Sequence, residues 1–132
     1  MRLLTALLLM SAASVASAQG VERVPRIGLA GDDLDACLSV GQVTGLDPRG
    51  DNYLTVRANP AASGREKDRL GPGRLIWLCD EAGDWLGVVY GDGRSDGPDD
   101  CGVGTPATHP QPYGGPCRTG WVHSRYVAVI AG

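Results

Sequence analysis

Apolar and polar residues alternate along several short segments of the chain, and this two-residue period is typical of β-strands. In one such segment Ile76 and Leu78 would face one way while Trp77 and Cys79 face the other. In another, Leu86 and Val88 would point inward. The pattern predicts strands at residues 37–44, 53–57, 75–79, 85–90, 120–122 and 127–130.

Glycine and proline are frequent, with 20 Gly and 9 Pro in 132 residues. Glycine raises the entropy of the unfolded chain and proline lacks a backbone donor, so long regular elements are disfavoured. No segment has the period of a long amphipathic helix. Short connections, such as residues 80–84, favour an antiparallel meander of neighbouring strands.

Two segments lack this alternation. Residues 19–35 are predicted to form an irregular N-terminal extension. Residues 91–116 are rich in Gly, Pro and Asp, and a loop of this length inside a small domain is usually functional or disordered. Cys101 lies inside this loop and Cys117 directly follows it, so a bridge between them would order it.

The first eighteen residues have the order of a secretory signal: a basic start, a short apolar run and small residues before a cleavage site. The apolar run is too short to cross a bilayer. The alternative is an uncleaved helix on a membrane surface. We expect cleavage after Ala18, no membrane anchor after signal cleavage, and a periplasmic or secreted bacterial protein.

Four cysteines in an exported chain predict disulfides, and four allow three pairings. The preferred pairing is Cys37–Cys79 with Cys101–Cys117. The first bridge would staple the extension to the sheet, and the second would close the loop. The competing hypothesis is a zinc site, whose ligands would be Cys101, His109, Cys117 and His123, but their spacing matches no common zinc module.

Charge excludes one class of partner. Without Arg2 the chain has 11 basic and 15 acidic residues, a net charge of −4. Because phosphate backbones attract basic proteins, no nucleic acid partner is expected. Basic residues cluster at 57–74 and acidic residues at 80–100, an asymmetry that could orient a partner.

Three motifs occur in a fixed order: residues 53–60 (YLTVRANP), 83–88 (GDWLGV) and 120–127 (GWVHSRYV). Together they resemble the opening, central and closing segments of the bacterial SH3 (SH3b) family, over about residues 45–130. The resemblance implies an all-β fold: a small SH3-like β-barrel with a one-turn 3₁₀ helix at Ser124, Arg125 and Tyr126. The expected organisation is a signal peptide (1–18), an N-terminal extension and first strand (19–44), and the barrel (45–132) with an insertion at 91–117.

Members of that family commonly bind cell-wall peptides. The resemblance places a binding groove beside the strand that Trp85 opens, with Tyr126 and Tyr53 as neighbours. Arg57, Arg65 and Arg69 would be charge partners. An exposed Trp beside Tyr is typical of a peptide-binding surface. The alternative is that Trp85 packs under the extension. Trp77 and Trp121 are assigned to packing.

No catalytic residue is predicted, and the protein is not expected to be an enzyme. An enzyme would need His109 or His123 in one cleft with Asp99 or Asp100. The acidic stretch starting at Asp92 fails as a calcium loop, and no metal or other cofactor is expected. The predicted function is that of an exported, monomeric, non-catalytic module recognising a peptidoglycan peptide or an envelope protein segment. The alternative is an inhibitor or assembly protein acting through the loop 91–117.

Overall fold

The computed structural model describes Ala12 and residues 21–132. The predicted signal peptide, residues 1–18, lies outside the described residues apart from Ala12. The described residues contain no helix long and apolar enough to cross a bilayer. The all-β prediction is confirmed. The elements are β1 (Arg26–Ile27), β2 (Ser39–Val43), β3 (Leu54–Arg57), β4 (Glu66–Leu70), β5 (Leu75–Ala82), β6 (Trp85–Tyr90), β7 (Gln111–Pro112), β8 (Arg118–His123), a 3₁₀ turn (Ser124–Tyr126) and β9 (Val127–Ala131).

Seven of these strands form one antiparallel sheet in the order β4-β3-β8-β6-β5-β2-β9. Across residues 21–132 no ladder joins β4 to β9, so the sheet is open and the predicted closed barrel is not found. Register shifts in the ladders of β2, β3 and β5 mark β-bulges, which increase local twist and bending. The bent sheet has an inner and an outer face.

The inner face encloses the main hydrophobic core. Six of the seven strands supply its fully buried residues, and Val127 of β9 packs against them. The alternation predicted for β5 and β6 is confirmed, because Ile76 and Val88 are buried here and Leu78 and Leu86 pack at its margin. The buried set is Val43, Leu54, Val56, Leu70, Ile76, Val88, Tyr90 and Val122.

The outer face is covered by the two segments that lack strand alternation. The extension and the insertion pair through β1 and β7, which form a two-stranded sheet. Their side chains join Val89 and Trp77 in a second cluster, whose buried members are Ala36, Cys37, Val89, Cys101, Val103 and Tyr113. The extension was predicted to be irregular, but it contains strand β1 and so is partly regular. The insertion is ordered and covers the sheet.

Strand β4 corrects a second expectation, since its segment was predicted as a polar connection. It pairs with β3 from Leu54↔Leu70 to Arg57↔Glu66. Only Leu70 of this strand is buried, because β4 is an edge of the sheet and its other side chains meet solvent.

Both preferred disulfides are confirmed. Cys37 is bonded to Cys79 and Cys101 to Cys117. All four cysteines of the chain are thereby oxidised, which is compatible with an exported protein. The hypothetical zinc set loses its two thiolates to the second bridge.

Candidate functional site

A groove of about 510 Å³ opens between the loop that precedes β3 and the 3₁₀ turn that follows β8. All four predicted ligand-binding residues line it: Trp85, Tyr126, Tyr53 and Arg57. They come from β6, the 3₁₀ turn, the last residue of β3 and the residue just before β3, so the fold assembles them from distant parts of the chain. The structure brings the predicted set together.

Trp85, His123 and Tyr126 form an aromatic row with His123 in the middle. Trp85 lies opposite His123 in the β6–β8 ladder, and the two rings meet edge to face with centroids 5.3 Å apart. The His123 ring contacts that of Tyr126 in the same way, at 6.4 Å. Such pairs hold rings in place, so the half-buried Trp85 and Tyr126 present preformed apolar surfaces to the groove.

His123 was not among the predicted ligand-binding residues. It caps the 3₁₀ turn, because its Nδ1 accepts a hydrogen bond from the Arg125 N–H (3.1 Å) at the start of that turn. It also lines the groove. The missed signal was the pairing of two antiparallel strands, which places position 123 directly across from position 85.

The basic side chains near the groove divide into two groups. Arg57 lines it and donates from Nη1 to the Gly64 carbonyl (3.0 Å), which steadies the β3–β4 connection. Arg65 and Arg69, expected as further charge partners, do not line it. Arg65 lies 3.7 Å from Glu22, and Arg69 binds Glu66 while its guanidinium lies over the Tyr53 ring at 4.3 Å. The hydrogen bond that Arg69 donates to the Glu66 carboxylate raises the pKa of Arg69.

Acidic residues on the groove were not predicted. Asp47 and Asp51 line it, and Arg125 joins Arg57 as a second cation. Among the described residues, none of these four charged groups takes part in an ion pair within 4 Å. Because both signs are present and unpaired within the described chain, the groove suits a ligand that carries an amine and a carboxylate.

Trp85 lines the groove and is not among the residues of the outer cluster that the N-terminal extension covers. The extension crosses the outer face beside Trp121, where the Arg23 carbonyl accepts a hydrogen bond from Trp121 Nε1 (2.7 Å). Pro25 reaches so close to Gly87 that a Cβ at that position would lie 2.9 Å from it. The packing roles of Trp121 and Trp77 are confirmed: Trp121 is fully buried, and Trp77 packs in the outer cluster and donates to the Asp99 carbonyl (2.8 Å).

Asp99 organises the start of the insertion. Its carboxylate accepts from the N–H groups of Gly91 (2.9 Å) and Gly93 (3.0 Å) and lies 3.4 Å from Arg74. Gly93 has a φ of 70°, and any Cβ there would collide with the Arg74 guanidinium. The Asp99 carboxylate is therefore occupied by two backbone N–H groups and Arg74. The residues that the structure describes contain no cluster of three or more potential metal ligands.

The structure does not bring His123 into one cleft with Asp99 or Asp100. His123 lies in the groove, whereas Asp99 and Asp100 line a separate cavity whose lining residues include no histidine. His109 is exposed beside Thr108, and its Nδ1 lies 3.0 Å from the Thr108 hydroxyl. The histidines are therefore apart from the acidic residues with which they would have to act.

Comparison with known proteins adds no relative. No protein-family model, no curated protein and no solved structure matches this chain significantly.

Proposed function

We propose that this chain is an exported, non-catalytic, SH3-like binding module whose groove recognises a peptide of the cell wall or a segment of an envelope protein. The strand succession β9-β2-β5-β6-β8 and the 3₁₀ turn before β9 support an SH3-like arrangement in an open form. The two disulfides support folding in an oxidising compartment.

The observation that carries this proposal is the aromatic row in the groove. Trp85, His123 and Tyr126 are held edge to face on one wall, and Tyr53 lines the same groove. Preformed aromatic surfaces lose little conformational entropy on binding, and Trp and Tyr are enriched among the residues that dominate binding energy. A groove of this kind suits an extended peptide.

The charges in the groove narrow the ligand further. Asp47 and Asp51 attract an amine, while Arg57 and Arg125 attract a carboxylate. A short peptide with both groups would satisfy all four, whereas a purely anionic polymer would meet repulsion from the aspartates. We therefore favour a peptide over a glycan or a polyphosphate.

The test is co-sedimentation of the purified protein with isolated cell-wall sacculi. Wild type should pellet, and Trp85→Ala should lose at least ten-fold in binding, because truncating a central aromatic anchor costs about 2 kcal/mol or more. Val21→Ala is the matched control, since Val21 is an exposed apolar residue outside the groove lining. If wild type stays in the supernatant, the wall is excluded. Equal pelleting of all three proteins would exclude the groove as the wall-binding site.

A second candidate function is inhibition or assembly through the insertion, and one observation favours it. Residues 92–96 are exposed at a loop tip that Asp99 holds in a defined conformation. Deleting the segment between Cys101 and Cys117 would not test this idea, because Val103 and Tyr113 are buried against the sheet. Under this hypothesis Arg94→Ala should abolish binding of the protein to its partner. If the groove is the binding site, the same variant should bind that partner as wild type does.

A further inference from the structure

Exposed apolar residues gather at one end of the sheet. Of the six large hydrophobic residues that are exposed in the described chain, Leu29, Leu38 and Val129 line one cavity of about 410 Å³. A fourth, Ile130, follows Val129 on β9. Val129 is 63% exposed, so the strand presents apolar surface to solvent where the inner core ends.

Strand β9 is also an edge. In the part of the chain that the structure describes, it pairs with β2 alone. Its sequence, VAVIA, contains no charge and no proline. The opposite edge, β4, has the sequence EKDRL, and each of its four charged side chains is engaged in an ion pair. Charged side chains block edge-to-edge pairing, so β4 is protected and β9 is open.

The β2–β9 ladder shows which backbone groups of β9 are free to pair. The Thr44 N–H donates to the Tyr126 carbonyl (2.9 Å), so this opposing pair is a hydrogen-bonded one. The register continues through Val43↔Val127, Gln42↔Ala128 and Gly41↔Val129. Hydrogen-bonded pairs alternate along an antiparallel ladder, so Ala128 points its N–H and C=O toward β2 and Val129 points its own away from it.

We propose that β9 pairs antiparallel with β9 of a second copy of this chain, about a two-fold axis at Val129, and so joins two sheets into one. In this register Val129 lies opposite its own counterpart and exchanges both backbone hydrogen bonds with it. Ala128 lies opposite Ile130, so a small side chain faces a large one. The cavity lined by Leu29 and Leu38 borders the strand on each side of the axis.

The absence of charge on β9 favours a second copy as the occupant. A two-fold strand pair sets each side chain across from a residue of the same short segment, and like charges in opposition destabilise such pairs. VAVIA brings only apolar groups together, so self-pairing meets no repulsion. The protein is then a dimer, in contrast to the monomer expected from the sequence, and the groove on the far side of the 3₁₀ turn is present in each copy.

Sedimentation equilibrium over a wide range of protein concentration tests this proposal. The weight-average mass of wild type should rise with concentration toward twice the monomer mass. Val129→Lys should hold the protein at monomer mass, with association weakened at least ten-fold, because two ammonium groups would meet at the axis. Val21→Lys is the matched control, since Val21 is 92% exposed and lies outside β9. A wild type that stays monomeric, or a Val129→Lys variant that still dimerises, overturns the proposal.

Cross-linking tests the register independently of affinity. Opposing residues of a hydrogen-bonded pair have Cα atoms about 5.5 Å apart, which is within disulfide range. The native cysteines are already bonded, so a single new thiol is available in each variant. Val129→Cys should form a covalent dimer on mild oxidation. Ile130→Cys should form much less, because its own counterpart is displaced by two residues along the strand. Equal yields from the two variants, or no dimer from Val129→Cys, overturn this register.

Discussion

The two faces of the sheet are stabilised in different ways. The inner cluster is built by six strands, and its members alternate with outward-facing residues along each strand. The outer cluster is built largely by coil segments, and both disulfides lie within it. Regular strands are held by ladder hydrogen bonds wherever they pack. Coil segments have no such ladder and need covalent links and side-chain hydrogen bonds to remain in place.

The hydrogen bonds of Tyr113 show this second mode clearly. Its hydroxyl donates to the Cys101 carbonyl (2.8 Å) and accepts from the Cys117 N–H (3.1 Å). One buried phenol thus joins both ends of the second disulfide. The comparison implies that the inner cluster determines whether the chain folds, while the outer cluster determines whether the insertion and the extension stay attached.

The largest effect is expected from truncation of the inner cluster. Ile76 is fully buried, and Ile76→Ala should lower the free energy of unfolding by about 4 kcal/mol through lost burial and a residual cavity. Urea denaturation measures this change. Ile130→Ala is the control, because Ile130 is half exposed and should lose well under half as much. Similar losses for the two variants would contradict the assignment of Ile76 to the core.

Removal of the second disulfide should have the next largest effect. The cysteines are 16 residues apart, and constraint of the unfolded chain by a loop of this length is worth about 3 kcal/mol. The double variant Cys101→Ala with Cys117→Ala should stay folded. Hydrogen exchange should increase at residues 91–117 and remain slow in β5 and β6.

That exchange pattern separates the two clusters. Fast exchange throughout β5, β6 and β8 in the double variant would show that the outer cluster also holds the sheet together, and the comparison would fail. Sacculus binding is a second readout. The double variant should bind as wild type does, because the groove is lined by residues outside the insertion.

The same contrast explains what could be predicted from the sequence. Strands β3, β5 and β6 were found because Leu54, Ile76 and Val88 belong to short runs with a two-residue period. The disulfides and the four groove residues were found from cysteine position and motif order. These signals are local, or they depend on a few residues of unusual chemistry.

Features that depend on contacts between distant parts of the chain could not be predicted from the sequence. Strand β4 was taken for a connection, since its charged side chains face solvent at the sheet edge and show no apolar period. Val103 and Tyr113 are isolated apolar residues in a Gly- and Pro-rich stretch, and only the folded sheet shows that they share a cluster. His123 joins the groove through the pairing of β6 with β8, and Asp47 and Asp51 join it through the loop before β3; no single segment encodes either arrangement.

An intermediate effect is expected at Asp99, which fixes the start of the insertion without a covalent bond. Asp99→Ala removes the acceptor for Gly91 and Gly93 and leaves Arg74, whose Nε is already without a hydrogen-bond partner, further unsatisfied. We expect a loss of about 2 kcal/mol. Asp96→Ala is the control, because Asp96 is exposed at the tip of the same loop. Equal stability of the two variants would show that Asp99 does not organise the loop.

The smallest effect at neutral pH, and the only one with a pH signature, is expected at Tyr90, where the two regions meet. Its hydroxyl donates to Asp68 (3.0 Å), and Arg118 links Asp68 to Asp92 of the insertion. Burial, followed by the Asp68 carboxylate, raises the pKa of Tyr90 above its ordinary value.

The phenol therefore stays neutral in the folded chain, while the unfolded chain ionises above pH of about 10. The stabilisation is complete below that pH and is lost as the pH rises further, by up to about 1.4 kcal/mol per pH unit. Tyr90→Phe should cost about 1 kcal/mol at pH 7 and should flatten this alkaline decline, measured by urea midpoints from pH 7 to 11. Tyr53→Phe should keep the decline, because Tyr53 lies at the groove and is only half buried. A decline that persists unchanged in Tyr90→Phe would place the alkaline sensitivity at another group.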